Sequence, residues 1–410
     1  MRMILIFVRK SPLPALALLI AACGQGTEAT DGGVISTLVH ASDVPLDGLS
    51  HDDVKAFNSG DQKFDTPFRD VDGLGPLYIR TSCGACHEDG SRGPGLVQKM
   101  VVMEADGVTP AADQSSLTWG HTVRKGLAAG ATTAIVPPTG PNVLVTTRQG
   151  PPVLGRGYLE AIADSEIERV AAEQAQRTDA IHGAVSRVTF TSVPNPDTTF
   201  GAFTQGQTNL IGRFGLKARE VTLDDFTADA FQGDMGLTTP MRPAELPNPD
   251  GLTDDSRAGV DLDQEHIDSI AFYLRRIAIP PRVNLDQRGS TLFDQAQCAA
   301  CHVRTLKTRA DYPIAPLANI DAPVFCDLLL HDMGDALADG MTDGSASSKQ
   351  WRTAPLIGLR FAKVFLHDGR AVSVREAIEA HQGEATASAS AFSALSEADQ
   401  AALVRFVEAL

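Results

Sequence analysis

Cysteine, basic side chains and long hydrophobic runs are all scarce in this sequence. The 410 residues include only 6 cysteines and 10 histidines, so a short motif that combines both residue types is hardly a chance event. Lys and Arg number 35 against 51 Asp and Glu, a net charge of −16, which argues against a nucleic-acid partner because phosphate binding needs cations. The apolar stretch near the N-terminus is short and interrupted by proline, which argues against a membrane-spanning helix.

Four of the cysteines fall in two copies of one motif. TSCGACHEDG (81–90) and AQCAACHVRT (296–305) both contain C-x-x-C-H, the attachment pattern of a c-type haem. The two thiols bind the haem covalently and the adjacent imidazole ligates its iron. The shared pattern extends upstream, as L-[FY]-x4-C-x-A-C-H in both copies. The sequence therefore predicts two covalent haems, attached by Cys83 and Cys86 with proximal His87, and by Cys298 and Cys301 with proximal His302.

The N-terminus has the pattern of an export signal. A basic segment, a short apolar segment and small residues occupy 1–22, and Ile20-Ala21-Ala22-Cys23 resembles the cleavage site of bacterial lipoproteins. We expect Cys23 to be lipidated, with ordinary signal cleavage as the alternative, and residues 23–60 to form a tether. Both alternatives predict an exported, periplasmic protein, and lipidation would anchor it to a bacterial membrane.

Hydrophobic periodicity predicts a mainly α fold with extensive loops. Apolar residues recur at helical spacing in 159–176, in 263–277 and at the C-terminus, where Ser396 can cap the last helix. Each half of the chain carries C-x-x-C-H, a long variable stretch and then an amphipathic helix. We interpret this plan as two tandem class I cytochrome c-like domains, residues 61–282 and 283–410.

The sixth ligand of each iron decides its chemistry, because a strong ligand favours electron transfer and an open position permits peroxide chemistry. His381 continues the apolar face of Val374, Ala377 and Ile378, and we favour it for the second haem. The other candidates there are His331, Met333, Met341 and His367. For the first haem the sequence leaves Met100, Met103, His121 or no ligand open. Cys326 is left over, and we expect it to be a buried apolar residue.

Long segments of the chain resemble the bacterial dihaem oxidoreductases grouped as peroxidases, also called thiol oxidoreductases. More distantly the chain is similar to dihaem cytochrome c peroxidases and to the dihaem enzyme that matures methylamine dehydrogenase. Beside both haem motifs, the resembling segments are GRFGLKAREVTLDDFTADAFQGDMGLTT (212–239), DLLLHDMGDALADG (327–340) and WRTAPLIGLRFAKVFLHDGRAVSVREAIEAHQGEA (351–385).

The resemblance implies roles for particular residues. Asp234 falls where such peroxidases carry a distal glutamate, and it would act as base and then acid on peroxide. His367 belongs to a His-Asp-Gly motif, and His381 takes the place of a methionine ligand, which implies a bis-histidine second haem. Two positions depart from the peroxidases: Phe226 replaces a distal glutamine, and Leu216 replaces a tryptophan between the haems.

These observations predict an exported dihaem oxidoreductase. It would reduce hydrogen peroxide at the N-terminal haem, with electrons that a small cytochrome c or copper protein supplies through the C-terminal haem. The alternatives are an electron-transfer cytochrome without catalysis, and an enzyme that oxidises a protein or thiol substrate. The resemblance also allows an interdomain calcium ion, for which the sequence assigns no ligands.

Overall fold

Helices supply most of the regular structure in the computed structural model, which describes residues 43–88, 95–140, 142–252 and 259–410. All of these residues belong to one compact unit, Leu38–Leu410. The predicted signal segment and Cys23 lie outside the described residues. The α-helices are α1 (His51–Asp65), α2 (Arg156–Ala161), α3 (Asp164–Gln174), α4 (Leu223–Ala230), α5 (Gln264–Arg276), α6 (Gln287–Gln295), α7 (Val374–Glu379), α8 (Thr386–Ser393) and α9 (Glu397–Glu408).

Short polar residues begin several of these helices, as their sequences predict. The Thr222 hydroxyl accepts a hydrogen bond from the backbone N–H of Asp225 at the start of α4. Ser396 accepts in the same way from the N–H of Asp399 at the start of α9. Each cap satisfies a backbone donor that has no partner within the helix. The predicted cap of the C-terminal helix is thereby confirmed.

The single helix predicted over 159–176 is wrong, because the structure breaks it into α2 and α3. Ile162 and Ala163 are extended at the break. Ile162 pairs with Thr308 as an isolated bridge, and the Ala163 N–H donates to the Lys307 carbonyl at 3.2 Å. Backbone pairing with a segment far along the chain therefore overrides the local helical periodicity.

The described residues also contain small antiparallel sheets that the sequence did not predict. The longest pairing joins β2 (Leu96–Val102) to β4 (Val143–Gln149), with Leu96 opposite Gln149. The remaining strands are short: β1 (Leu77–Tyr78), β3 (Gly126–Leu127), β5 (Arg187–Val188), β6 (Leu210–Ile211), β7 (Leu306–Lys307), β8 (Asp321–Ala322), β9 (Leu330–Asp332) and β10 (Gln350–Arg352). They pair as β1–β3, β5–β6, β7–β8 and β9–β10.

Helix α1 begins inside the segment that the sequence predicts as a tether. Phe57 is fully buried, and its ring centroid lies 4.9 Å from that of Tyr273 on α5. Gly60 permits this approach, since a Cβ built there would lie 2.5 Å from the Ser269 carbonyl oxygen. The folded part of the chain thus starts before residue 60, and the predicted boundary of the tether is wrong.

Two hydrophobic clusters form most of the core. The larger cluster surrounds α1, α4 and α5 and also takes in Leu306, Cys326 and Ile357 from the C-terminal part of the chain. The smaller cluster packs α6 against α8 and α9 through Phe293 and Phe406, whose ring centroids lie 5.5 Å apart. The helices confirm a mainly α protein, whereas the division into two tandem cytochrome c domains stays a prediction. None of the described helices is long and apolar enough to cross a membrane.

Candidate functional site

The second C-x-x-C-H motif (residues 298–302, the second motif) directly follows α6. Asp286 caps this helix by accepting from the Gly289 N–H at 2.8 Å. After the helix, Gln297 adopts a left-handed backbone conformation with φ 61°. The His302 N–H then donates to the Cys298 carbonyl at 3.0 Å, which closes the motif into a tight loop. The helix, the turn and this bond together fix where the two cysteines and the histidine lie.

His302 and His381 line one cavity of about 220 Å³. The Nδ1 atom of His302 lies 3.1 Å from the Phe325 carbonyl oxygen, and that of His381 lies 2.6 Å from the Ala377 oxygen. A carbonyl oxygen only accepts, so each Nδ1 carries the proton and each Nε2 keeps its lone pair. This is the tautomer in which histidine ligates a metal.

Burial also keeps both rings neutral. It lowers the pKa of His302 to about 4, and the neighbouring His381 adds to the decrease. Burial lowers the pKa of His381 as well, with the Ala377 carbonyl opposing it. Two neutral imidazoles with available Nε2 atoms therefore line the same space.

The rest of this cavity fits a large apolar cofactor that is attached through sulfur. Cys298 and Cys301 line it as free cysteines, together with apolar side chains such as Phe293, Ile378 and Leu403. Burial is the main cause that raises the pKa of Cys298, to about 12, so it is a protonated thiol. The residues present thus fit a haem, which the two cysteines would hold and the two histidines would ligate.

The first C-x-x-C-H motif (residues 83–87, the first motif) follows β1 and has a similar loop. The N–H groups of Cys86 and His87 both donate to the Cys83 carbonyl at 3.0 Å. Burial lowers the pKa of His87 to about 4, and the positive charge of Arg156 contributes. Gly150 lies against the His87 ring, since a Cβ built there would be 2.8 Å from Cε1. The first motif therefore also offers a neutral, closely packed imidazole.

Asp234 lies near this first motif, in a π-helical turn (Phe231–Met235) that ends at Gly236 with φ 71°. Its backbone carbonyl accepts from the Ile79 N–H at 2.7 Å, which ties the turn to the end of β1. Its carboxylate helps to raise the pKa of both Cys83 and Cys86, for which burial is the larger cause. The structure therefore brings Asp234 into the neighbourhood of the first motif.

Charged side chains surround Asp234. Burial raises its pKa and the nearby Asp229 adds to the increase, whereas Lys99, Arg219 and Arg124 lower it. The Arg124 Nε–H donates to the Gly233 carbonyl at 3.1 Å, beside Asp234 in the chain. A carboxyl group with a raised pKa and cations close by can accept a proton and return it.

The candidate sixth ligands of the first site take part in other packing. Met100 is buried in a small apolar cluster with Leu77 and Val123. His121 directs Nδ1 at the Met100 carbonyl at 3.0 Å. Met103 is 5% exposed and lies against Gly340, where a built Cβ would be 3.2 Å from its sulfur. The sixth ligand of the first site stays open.

Near the second motif, His331 is held between two carboxylates. Its Nε2 lies 2.9 Å from Asp327 and its Nδ1 lies 2.7 Å from Glu384. Both nitrogens thus have carboxylate partners, and His331 would have to give up one of them to ligate a haem iron. Asp327 and Cys301 could hold a metal ion with His331, because their ligand atoms lie within 4.8 Å of one another, but haem attachment would use the Cys301 sulfur. The i, i+4 spacing of Asp327 and His331 is the sequence signal that could have indicated their contact.

Trp351 and His367 form a stacked pair in the wall of the second cavity. Their ring centroids lie 3.8 Å apart with an interplanar angle of 16°. The Lys217 ammonium lies 4.1 Å from the centroid of the Trp351 ring, and the indole N–H donates to the Leu337 carbonyl at 2.8 Å. The sequence did not predict this arrangement, which joins residues from three separate segments.

The two departures from the peroxidase pattern lie in different surroundings. Leu216 lines the second cavity. Phe226 is half-buried and packs with Phe214, with ring centroids 6.3 Å apart. Cys326 is fully buried and its thiol donates to the Thr353 carbonyl at 3.0 Å, which confirms the prediction of a buried residue.

Two solved structures align with this chain at low sequence identity. Kuenenia stuttgartiensis hydrazine synthase, solved under 20 bar of xenon, aligns over 97% of this chain and 100% of its own, at 14% identity and a TM-score of 0.37. A MauG-like protein associated with microbial copper homeostasis aligns over 61% of this chain and 89% of its own, at 15% identity and a TM-score of 0.29. No curated protein matches the sequence.

A family model matches residues 139–410, which include the second motif and Asp234 but not the first motif. The model is described as "Di-haem oxidoreductase, putative peroxidase", and it spans more than half of the sequence. The chain therefore belongs to the di-haem oxidoreductase family.

Proposed function

We propose that the protein reduces hydrogen peroxide at the first motif with electrons that pass through the second. The observation that carries this proposal is the placement of Asp234, whose carboxylate lies near enough to raise the pKa of both Cys83 and Cys86. Reduction of H2O2 to two waters consumes two electrons and two protons, so the site needs a group that moves protons. Bound haem would supply reversible electron storage and an iron position at which peroxide can react.

Asp234 would move the proton at the first site. Its carboxylate would take a proton from one oxygen of peroxide and return it to the other, the leaving oxygen. The raised pKa of Asp234 suits both steps, because a stronger base accepts the proton more readily and still releases it to the departing oxygen. Lys99 and Arg124 would favour the charged carboxylate, the form of Asp234 before it takes the proton and after it returns it.

The second site would store and pass electrons. His302 and His381 would orient and saturate the iron, since both Nε2 atoms are available within one cavity. A site held by both imidazoles would offer peroxide no ligand position, and its apolar walls would exclude water. Cys298 and Cys301 would fix the cofactor covalently.

An electron-transfer cytochrome without catalysis is the second candidate. The observation that favours it is Phe226, which places an aromatic ring where the peroxidases have a polar distal side chain. This second candidate would require a protein side chain as the sixth ligand of both irons.

The location and partners are part of the same proposal. The N-terminal signal would export the chain, and lipidated Cys23 would anchor it to a membrane in the periplasm. A small cytochrome c or copper protein would donate electrons. An interdomain calcium ion would fit the resemblance to dihaem peroxidases.

Optical spectroscopy of the holo-protein tests the function. The protein is reduced by one electron and mixed with one equivalent of H2O2. We expect a high-spin haem at the start that disappears on mixing, because an open iron at the first site reacts. Two low-spin haems that ignore peroxide would exclude a peroxidase and leave the electron carrier.

A further inference from the structure

The two motifs are joined by a short run of contacts through the wall between them. Gly150 packs on the imidazole of His87, since a Cβ built on Gly150 would lie 2.8 Å from the Cε1 atom of that ring. The next residue, Gln149, donates its backbone N–H to the His367 carbonyl at 2.7 Å. One packing contact, one peptide unit and one hydrogen bond therefore connect the proximal histidine of the first motif to the backbone of His367.

The run continues into the second cavity through two aromatic rings. His367 is 8% exposed and stacks on Trp351, which is 7% exposed, and both line the cavity that contains His302 and His381. The rings are nearly parallel and in van der Waals contact. Leu216, at the position of the missing inter-haem tryptophan, lines the same cavity, and its carbonyl accepts from the Arg352 N–H at 3.0 Å. An indole is thus present near that position, supplied by another segment.

His367 has a ring nitrogen available for the group that the cavity holds. Its Nε2 is buried and has no hydrogen-bond partner among the described residues. The Asp368 carboxylate lies 3.9 Å away, beyond hydrogen-bond distance. Buried polar atoms are rarely left without a partner, so this nitrogen is suited to contact a bound ligand.

We propose that the stacked Trp351 and His367, continued by Gln149 and Gly150, form the electron route between the two haem sites. The proposal rests on haem binding at both motifs, as in the proposed function. One electron leaves the second site, which is oxidised by one equivalent, and reduces the first site by one equivalent. No bond forms or breaks, and no proton is transferred along the route.

The surroundings of Trp351 indicate that its ring conducts as a packed bridge and is not itself oxidised. Oxidation would place a positive charge on a ring that already faces Lys217 at 4.1 Å and Arg148 at 5.6 Å. Loss of the indole proton would require a base, but the N–H donates to the Leu337 carbonyl, which is not one. Asp339 pairs with both cations, 3.4 Å from Lys217 and 2.7 Å from Arg148, and holds them in place.

The test measures electron exchange between the haems without peroxide. One electron is injected into the oxidised holo-protein by a flash of a photosensitiser, and absorbance follows its redistribution between the two haems. The variants are Trp351→Leu and Trp351→Phe, with Trp119→Leu as the matched control, because Trp119 is the other tryptophan and is 38% exposed. Haem content and thermal unfolding show whether each variant is folded and loaded.

We expect Trp351→Leu to slow the exchange by about an order of magnitude, and Trp351→Phe and Trp119→Leu to change it little. Unchanged exchange in Trp351→Leu would overturn the route. Equal slowing in Trp351→Phe and Trp351→Leu would overturn the unoxidised bridge, because phenylalanine keeps the packing and loses only the oxidisable indole. If Trp351→Leu loses the second haem, His367→Ala provides the same comparison. A wild-type protein that exchanges electrons but ignores peroxide would refute the peroxidase function and leave this test intact.

Discussion

The two C-x-x-C-H sites share a local loop but differ in what faces it. The second motif opens on an apolar cavity in which His302 and His381 each direct Nδ1 at a backbone carbonyl. The first motif has a buried histidine too, but its neighbours include Asp234 with Lys99 and Arg124. An apolar site with two imidazoles suits electron storage, and a site with a titratable acid suits proton-coupled chemistry. The same C-x-x-C-H motif thus lies in two different surroundings, which suit the two roles that we propose.

Removal of the acid at the first site should have the largest effect. We expect Asp234→Asn to lower kcat/KM for peroxide by roughly 10²–10⁴-fold, the usual contribution of a positioned acid or base. The optical spectrum of the second haem should not change. Asp113→Asn, at an exposed acid, is the control. Full activity in Asp234→Asn would show that Asp234 does not transfer a proton in the reaction.

Truncation of an aromatic ring in the smaller hydrophobic cluster should lower the stability of the region around the second motif more than that around the first motif. Phe293 is 1% exposed and packs on Phe325 and Phe406. We expect Phe293→Ala to cost about 3–5 kcal/mol of unfolding free energy, through lost burial and a cavity. Denaturant unfolding that follows each haem separately measures this. If the first haem is lost at the same denaturant concentration, the two cores unfold as one unit.

Replacement of His381, the proposed sixth ligand of the second haem, should change the midpoint potential of that haem only. We expect His381→Met to raise the midpoint potential of the second haem, within the range of roughly 0.8 V that axial ligands span. The first haem should keep its potential. Redox titration followed optically measures both, with His51→Met at an exposed histidine as the control. An unchanged midpoint potential of the second haem would show that His381 does not ligate its iron.

A smaller effect should appear in the pH profile of the first site. The charge of Lys99 lowers the pKa of Asp234 and opposes the increase from burial. The acid works as a base only when deprotonated, so kcat/KM rises with pH through this pKa. Lys99→Met removes the opposing charge, raises the pKa further and should move the rising limb up by about one pH unit. Lys125→Met, at an exposed lysine, should leave the limb in place, and an upward shift there would point to a general charge effect.

The sequence predicted elements whose signal is local. The helix cap at Ser396 involves residues only three apart, so its hydrogen bond depends little on the rest of the chain. The helical face that directs His381 toward the cavity is local in the same sense, and the structure places His381 there. The helix over 159–176 failed because its break depends on pairing with Thr308.

The sequence by itself determined the chemistry that the chain carries, because each C-x-x-C-H motif holds both thiols and the imidazole within five consecutive residues. Only the tertiary structure decided how the two sites differ and how they are connected. The stacking of Trp351 on His367 under Lys217 and the engagement of both His331 nitrogens join residues that are distant in the chain. Contacts of this kind leave no periodic or spacing signal, since they depend on which surfaces pack together.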